Sequence, residues 1–415
     1  MPSDPIRRIA VLSSAGQGGA GLAARRMAGA LAGQPELTVD FLDGLRLGGL
    51  LPPQVAPTAN MSNNRLTNTL FTIEYPGFRR DAVIEQLAGY DLLNIHWTAY
   101  LLSLAELDAL AARGQRMLFM LHDFNHLTGG CHYPATCRQL SSGCKTCPQV
   151  DEARADRAVV PVVRRIRRAI FKHPNVHITV PSAFLAGQAV ASGMVPAQRV
   201  HLLRNPYDPP PSPNGPDRPT TDARVPGTIR IALIADTLFE RRKGMALALD
   251  SLNVLADDLA ETRPGQRVLL DVVGHTDDVL RAHLARCRVP SQLHGHVTDH
   301  SALVALMAAA DIVLICSFED NWPNILVEAG AQGCIPVVGP GHGCAEFVHS
   351  FDAGRVAQDY TAPAFASALR DLIGSAPSAA ARQDLAQRVR RAHRGSTIAR
   401  RFQTIAAAIP AGISG

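Results

Sequence analysis

At 415 residues the chain is long enough for two or three domains, and 47% hydrophobic against 19% charged residues makes it globular rather than disordered. Aromatic residues, at 5%, are too sparse for a protein built to stack single-stranded nucleic acid. The net charge of +5 is a mild excess that suits anionic small molecules or a membrane surface as well as nucleic acid.

The N-terminal Arg7-Arg8 precedes only a short apolar run, Ile9 to Leu12, which reads as a buried strand and not as a signal peptide. Further strands are expected at Leu37–Leu42, Leu92–His96, Met117–Leu121 and Val176–Val180, and a second set at Ile229–Ile234, Val268–Val273, Ile312–Ile315 and Ile335–Val338. Continuous apolar strands alternating with helical stretches predict parallel sheets covered on both faces. Between the sets, 206–226 holds eight of the 29 prolines, so 206–227 is the expected linker between domains at 1–205 and 228–395. Helical composition at 379–392 and 396–409 closes the chain, with 396–415 expected to pack back on the first domain. The longest membrane-span candidate, Ala302 to Ala310, is cut by Asp311 and is far short of the ~20 residues needed. The expectation is a cytoplasmic α/β protein of two doubly wound domains, with ligands at the C-terminal strand ends of an interdomain cleft.

Four segments carry candidate chemistry. Gly16-Gln-Gly18-Gly19-Ala-Gly21 lies between a strand and a helix and fits a dinucleotide fingerprint, with Asp40 nineteen residues on as a ribose-binding acid. That supports a rival reading as a nicotinamide-dependent oxidoreductase; a glycine turn at any phosphate- or sugar-binding edge reads the same way. The segment Ser317 to Val338 reads strand, loop, helix, strand, with Pro323 opening the helix, Gly333 ending it, and Asp320 and Glu328 offering carboxylates to sugar hydroxyls from one edge. Cys131, Cys137, Cys144 and Cys147 have the makings of a structural zinc site, with disulfides or buried thiols as alternatives. Arg164 to Lys172 is a basic helical stretch, either a solvated face or a docking surface for anionic lipid. His122 and His126 are four apart, but the strand before them and Thr128-Gly-Gly after them argue against a zinc-protease helix.

The segment from Ser317, continued by Pro340-Gly-His-Gly343-Cys-Ala-Glu346, resembles the E-x7-E region and following glycine–glutamate turn of family 4 retaining glycosyltransferases with the GT-B fold. Gly18 to Arg25, His122-Asp123, Pro181-Ser182, Asn205 to Asp208 and Arg241-Arg242-Lys243-Gly244 are similar to further motifs of that family, in order, over some 350 residues. The run Thr128 to Tyr133 through Gly143 to Pro148 resembles a narrower group making bacterial exopolysaccharides of the colanic-acid type.

This resemblance implies a metal-independent hexosyl transfer from a nucleotide diphosphate sugar to a saccharide or lipid-linked acceptor, with no nucleic-acid partner. It implies that Lys243, with Arg241 or Arg242, neutralises the departing diphosphate. Glu328 would bind the ribose, Asp320 with nearby Glu319 and Asn321 the donor sugar, and Gly343 and Glu346 would line the nucleotide pocket. Gly18 and Gly19 would present backbone amides to sugar and phosphate. His122 would sit beside the donor sugar, with His96 and Asp123 on the acceptor side. Two departures stand out: the first acid of the pair is Asp320, with Glu319 one residue earlier, and Asp236-Thr-Leu stands where the family carries an arginine. Together they keep open a degenerate, binding-only homologue.

Overall fold

The computed structural model describes residues 5–14, 16, 18–47, 71–74, 76–150, 155–210, 227–375 and 377–411, with the backbone alone at 155 and 156. The chain divides into two compact units, one formed by 1–206 with 394–415 and the other by 207–393. The proline-rich stretch 211–226 lies outside the described residues.

In the first unit six strands form one parallel sheet: β1 (Arg8–Ser13), β2 (Thr38–Leu42), β3 (Leu92–Trp97), β4 (Met117–Met120), β5 (Val176–Val180) and β6 (Val200–Leu202), in the order β2-β1-β3-β4-β5-β6. Its apolar strands alternate between two cores. Ala10, Leu12, Leu93 and Ile95 pack on one face. Ile9, Val11, Leu92 and Leu118 pack on the other, against Met27 of the helix Gly18–Ala32 and Ile398 and Phe402 of the C-terminal helix Gly395–Ala407. Burial on both faces is why these strands read as unbroken apolar runs.

The second unit carries β7 (Thr228–Thr237), β8 (Arg267–His275), β9 (Ser291–Gly295), β10 (Ile312–Ile315), β11 (Ile335–Val338) and β12 (Arg355–Val356), in the order β12-β11-β10-β7-β8-β9. All pairings are parallel. Both sheets are doubly wound, and each has a point where the strand order reverses: between β1 and β3 in the first, between β7 and β10 in the second. At such a point the connections diverge to opposite faces and leave a crevice at the C-terminal strand ends.

Three strands escape a reading by apolar runs. β6 and β12 have three and two residues, and β9 is the largely exposed Ser-Gln-Leu-His-Gly; all three are sheet edges, where one side meets no neighbouring strand. The helix after β10 spans Asn324–Gly330, shorter than expected: Pro323 sits just before its first turn, and Gly333 lies beyond its end in a left-handed turn.

Candidate functional site

In the second unit the loops after β7 and β10 meet at the reversal point. β7 leads into a tight turn, Arg241–Lys243, and Gly244 follows in the left-handed conformation, φ 66°. A Cβ at Gly244 would lie 2.1 Å from Cys316 O, at the end of β10, so only glycine lets the two loops close up. The Phe318 N–H then donates to Arg242 O at 2.8 Å and joins them.

The turn points neighbouring cations in different directions. Arg242 is buried and donates to Glu240 Oε1 (3.0 Å), Glu319 O (2.7 Å) and Asp320 Oδ2 (3.1 Å). Lys243, partly exposed, donates to the same Asp320 oxygen at 2.9 Å. Arg241 is exposed. Arg242 is therefore a strut that holds the acidic loop, whereas its neighbour Arg241 stays exposed. Burial alone would raise the Asp320 carboxyl, but Lys243 and then Arg242 outweigh it and hold the group below its ordinary range.

The helix His342–Phe351 begins against this loop. Gly343 N–H donates to Asp320 O at 2.9 Å, and a Cβ at Gly343 would lie 1.6 Å from Asn321 O. Glu319, Asp320, Asn321 and Glu328 are all buried, Glu328 within its short helix, while Glu346 is partly exposed. Two residues missed in the sequence border the site. His342 has its pKa lowered by burial, with Asp320 pulling it back up. Tyr360 donates to Pro340 O at 2.9 Å and packs on Phe318 at 5.2 Å between ring centres. His342 was open to a closer reading of the glycine–glutamate turn; Tyr360, in no motif, left no signal.

At Asp236, near the end of β7, Oδ1 accepts from His296 Nε2 at 3.0 Å, and His296 stacks on His275 at 4.1 Å. Among the described residues this trio is the one group of three or more ionisable side chains with ligand atoms mutually within 4.8 Å. The two ring planes are 12° from parallel.

In the first unit the reversal point brings the glycine turn and β3 together: β1 pairs with β3, and Ser14 N–H donates to Trp97 O at 2.7 Å. Gly18 has φ 71°, and among the described residues no atom lies within 4 Å of a Cβ built at Gly18 or Gly19. Asp40 lies in the middle of β2, not at its end, and its Oδ2 accepts from Tyr90 Oη at 2.9 Å. One oxygen of the acid expected to bind a ribose is thus engaged by a neighbouring side chain.

His96 is the second-last residue of β3, His122 follows β4, and the two rings stack at 5.1 Å with Nδ1 of His96 2.9 Å from Nε2 of His122. Asp123, expected on the acceptor side, orders its own loop: Oδ2 accepts from His132 Nδ1 at 2.6 Å and Oδ1 from Asn125 N–H at 2.7 Å. His126 lies in a tight turn, Asn125–Leu127, and is buried, so the zinc-protease geometry is absent.

The cysteine loop is not gathered for zinc. No three of the Cys131, Cys137, Cys144 and Cys147 sulfurs lie mutually within 4.8 Å. Cys131 Sγ donates to Tyr133 O at 3.0 Å, and burial pushes the Cys147 thiol up to about 11. Among the described residues none of the four is joined in a disulfide. The loop is pinned by two arginines of the basic helix. Arg167 donates to Thr128 O (2.8 Å), Asn125 O and Oδ1, and pairs with Glu74 at 2.9 Å; Arg164 donates to Ser192 O (3.0 Å) and Leu140 O. Both are buried, so Arg165, Arg168 and Lys172 alone remain of the expected lipid-facing surface. Among the described residues no helix is long and apolar enough to cross a membrane.

A cation-bearing turn and an acidic loop at the reversal point of a doubly wound sheet invite comparison with known proteins. Residues 230–375 match the family model described as glycosyl transferases group 1. That span contains Lys243, Asp320, Glu328 and Glu346. No curated protein matches the chain. Solved structures resemble it over nearly its whole length. A sucrose-phosphate synthase from Thermosynechococcus elongatus is 16% identical with a TM-score of 0.61, covering 96% of this chain and 98% of its own. HepE of Anabaena in complex with UDP-glucose is 16% identical with a TM-score of 0.59, covering 95% and 98%. A UDP-forming trehalose-phosphate synthase from Burkholderia xenovorans is 14% identical with a TM-score of 0.60, covering 97% and 99%. The chain has the fold of these GT-B glycosyltransferases, two Rossmann-like parallel-sheet domains.

Proposed function

We propose that this protein is a retaining glycosyltransferase that moves a sugar from a nucleotide diphosphate sugar to a saccharide or lipid-linked saccharide, in bacterial polysaccharide synthesis of the colanic-acid type. One observation carries the reading: Lys243 and Asp320 come from the loops on either side of the β7/β10 reversal point and meet there at 2.9 Å, within the segment that matches the glycosyl transferases group 1 model. The neighbours in complex with UDP and UDP-glucose make a uridine nucleotide the first donor to try.

The second unit binds the donor. Lys243 and exposed Arg241 neutralise the diphosphate as it leaves, while Asp320, held ionised by Lys243 and Arg242, accepts from sugar hydroxyls; Glu328 takes the ribose, and Gly343 and Glu346 border the nucleotide. In the first unit Gly18 and Gly19 present backbone amides to sugar and phosphate, and His122 with His96 addresses the sugar hydroxyls. The acceptor oxygen attacks the anomeric carbon from the side the diphosphate leaves, and a phosphate oxygen takes its proton, so no metal or protein base is required. Electrostatic stabilisation of such a leaving group is worth about 100- to 1000-fold in rate per well-placed donor.

Release of nucleoside diphosphate from a panel of nucleotide sugars, with and without saccharide acceptors, tests this. Turnover with one donor, abolished in Lys243→Met at unchanged folding, is expected. Full activity in Lys243→Met would remove the diphosphate assignment. Asp236, an acid where the resembling family carries an arginine, favours a second reading as a binding-only homologue; donor binding without turnover on any acceptor would decide for it.

A further inference from the structure

Asn94 is an odd residue for its place. It lies in the middle of β3, fully buried between Leu93 and Ile95 in a strand that is otherwise apolar as far as His96. We infer that Asn94 and His96 are positioning residues that lock His122 in the Nε2–H tautomer, so that His122 meets a sugar hydroxyl as a hydrogen-bond acceptor through Nδ1. The hydroxyl's identity rests on the transferase reading above; the tautomer rests on geometry alone.

The chain of hydrogen bonds leaves one assignment. Asn94 Nδ2 lies 3.1 Å from Leu118 O, and because a carbonyl oxygen only accepts, this fixes which end of the amide is nitrogen. Asn94 Oδ1 then faces His96 Nε2 at 2.9 Å and must receive a proton from it. A buried imidazole stays neutral, so with Nε2 protonated, His96 Nδ1 carries a lone pair. That lone pair lies 2.9 Å from His122 Nε2, which must therefore donate. The proton on His122 Nε2 is held in this bond, and further protonation occurs at Nδ1.

Among the described residues the titratable groups that act on His122 include His96 on β3, Asp123 beside it in the chain and His126 in the following turn. Glu74 and Arg167 face His126 from behind. Burial first, with His126 adding to it and Asp123 opposing it, brings the His122 pKa down to about 4. At neutral pH the ring is uncharged and has little basicity, which suits an acceptor that orients a hydroxyl and not a base that removes its proton.

Long-range proton–nitrogen correlation on protein labelled with nitrogen-15 histidine reads the tautomer directly, with His122→Gln identifying the resonances. The expected spectrum has His122 Nε2 protonated and Nδ1 bare from pH 8 down to about 5. An Nδ1–H tautomer, or a ring that charges near pH 6.5, would overturn the inference. Asn94→Asp places a carboxylate beneath His96, charges that ring and makes its Nδ1 a donor. His122 should then switch to the Nδ1–H form, and transfer activity should fall tenfold or more. Should Asn94→Asp fail to fold by circular dichroism, the wild-type spectrum still decides. The expected tautomer together with full activity in His122→Gln would leave the positioning intact and overturn the sugar contact.

Discussion

Replacing Arg242 by methionine keeps most of the side-chain volume and removes the guanidinium on which the acidic loop rests. Lost are the bonds to Glu240 at 3.0 Å, Glu319 O at 2.7 Å and Asp320 at 3.1 Å. Removing one partner of a buried ion pair costs about 3–5 kcal/mol, because the remaining charge stays buried. Here Asp320 keeps Lys243 at 2.9 Å and Glu240 is partly exposed, which favours the lower end, about 3 kcal/mol. The second unit spans 207–393, a size at which each kcal/mol lowers the melting temperature by roughly 2–4 °C, so its transition should fall by about 6–12 °C. Calorimetry on the full chain measures this. Arg241→Met is the control: exposed as it is, its loss should leave the melting temperature within about 2 °C while weakening nucleoside diphosphate binding. A drop under 2 °C in Arg242→Met, or the two arginines exchanging these behaviours, would refute the division of labour between strut and ligand.

Gly343→Ala should cost about 3 kcal/mol, because its Cβ would meet Asn321 O at 1.6 Å and must displace backbone, which urea denaturation would register. The histidines of the first unit set a pH dependence. Burial lowers His122 and His177 to about 4, so between pH 4 and 6.5 the unfolded chain binds more protons than the folded one. Stability of that unit should rise with pH through this window and level off above it; urea midpoints at pH 4.5, 5.5, 6.5 and 7.5 measure the trend. Asp320 acts lower down: its ion pairs stabilise fully above the ordinary carboxylate range and are lost as pH falls through its lowered pKa.

Much of the fold was legible because each central strand is buried on both faces: Arg8 to Leu12 and Ile312 to Ile315 could hardly be anything but parallel strands. The order of elements around Lys243 and Asp320 was legible for the same reason, since loops after apolar strands mark the binding edge. What stayed hidden depends on direction. Arg164 and Arg167 read as half of a basic surface, yet both turn inward to main-chain carbonyls, and a carbonyl acceptor leaves no trace in side-chain identity. Arg241, Arg242 and Lys243 are indistinguishable as a run of three cations until the tight turn aims them apart. The pairing of His96 with His122 spans 26 residues and depends on β3 and β4 being neighbours, which neither motif encodes.

The central claim is that the turn bearing Lys243 holds a diphosphate, and calorimetric titration with UDP, GDP, ADP and TDP addresses it most directly. The tightest of the four should bind the wild-type chain and lose at least tenfold in affinity in Lys243→Met, and the difference between the two proteins should vanish when the parent nucleoside replaces it. Equal affinity in the two proteins, or no binding by any diphosphate, would contradict the account.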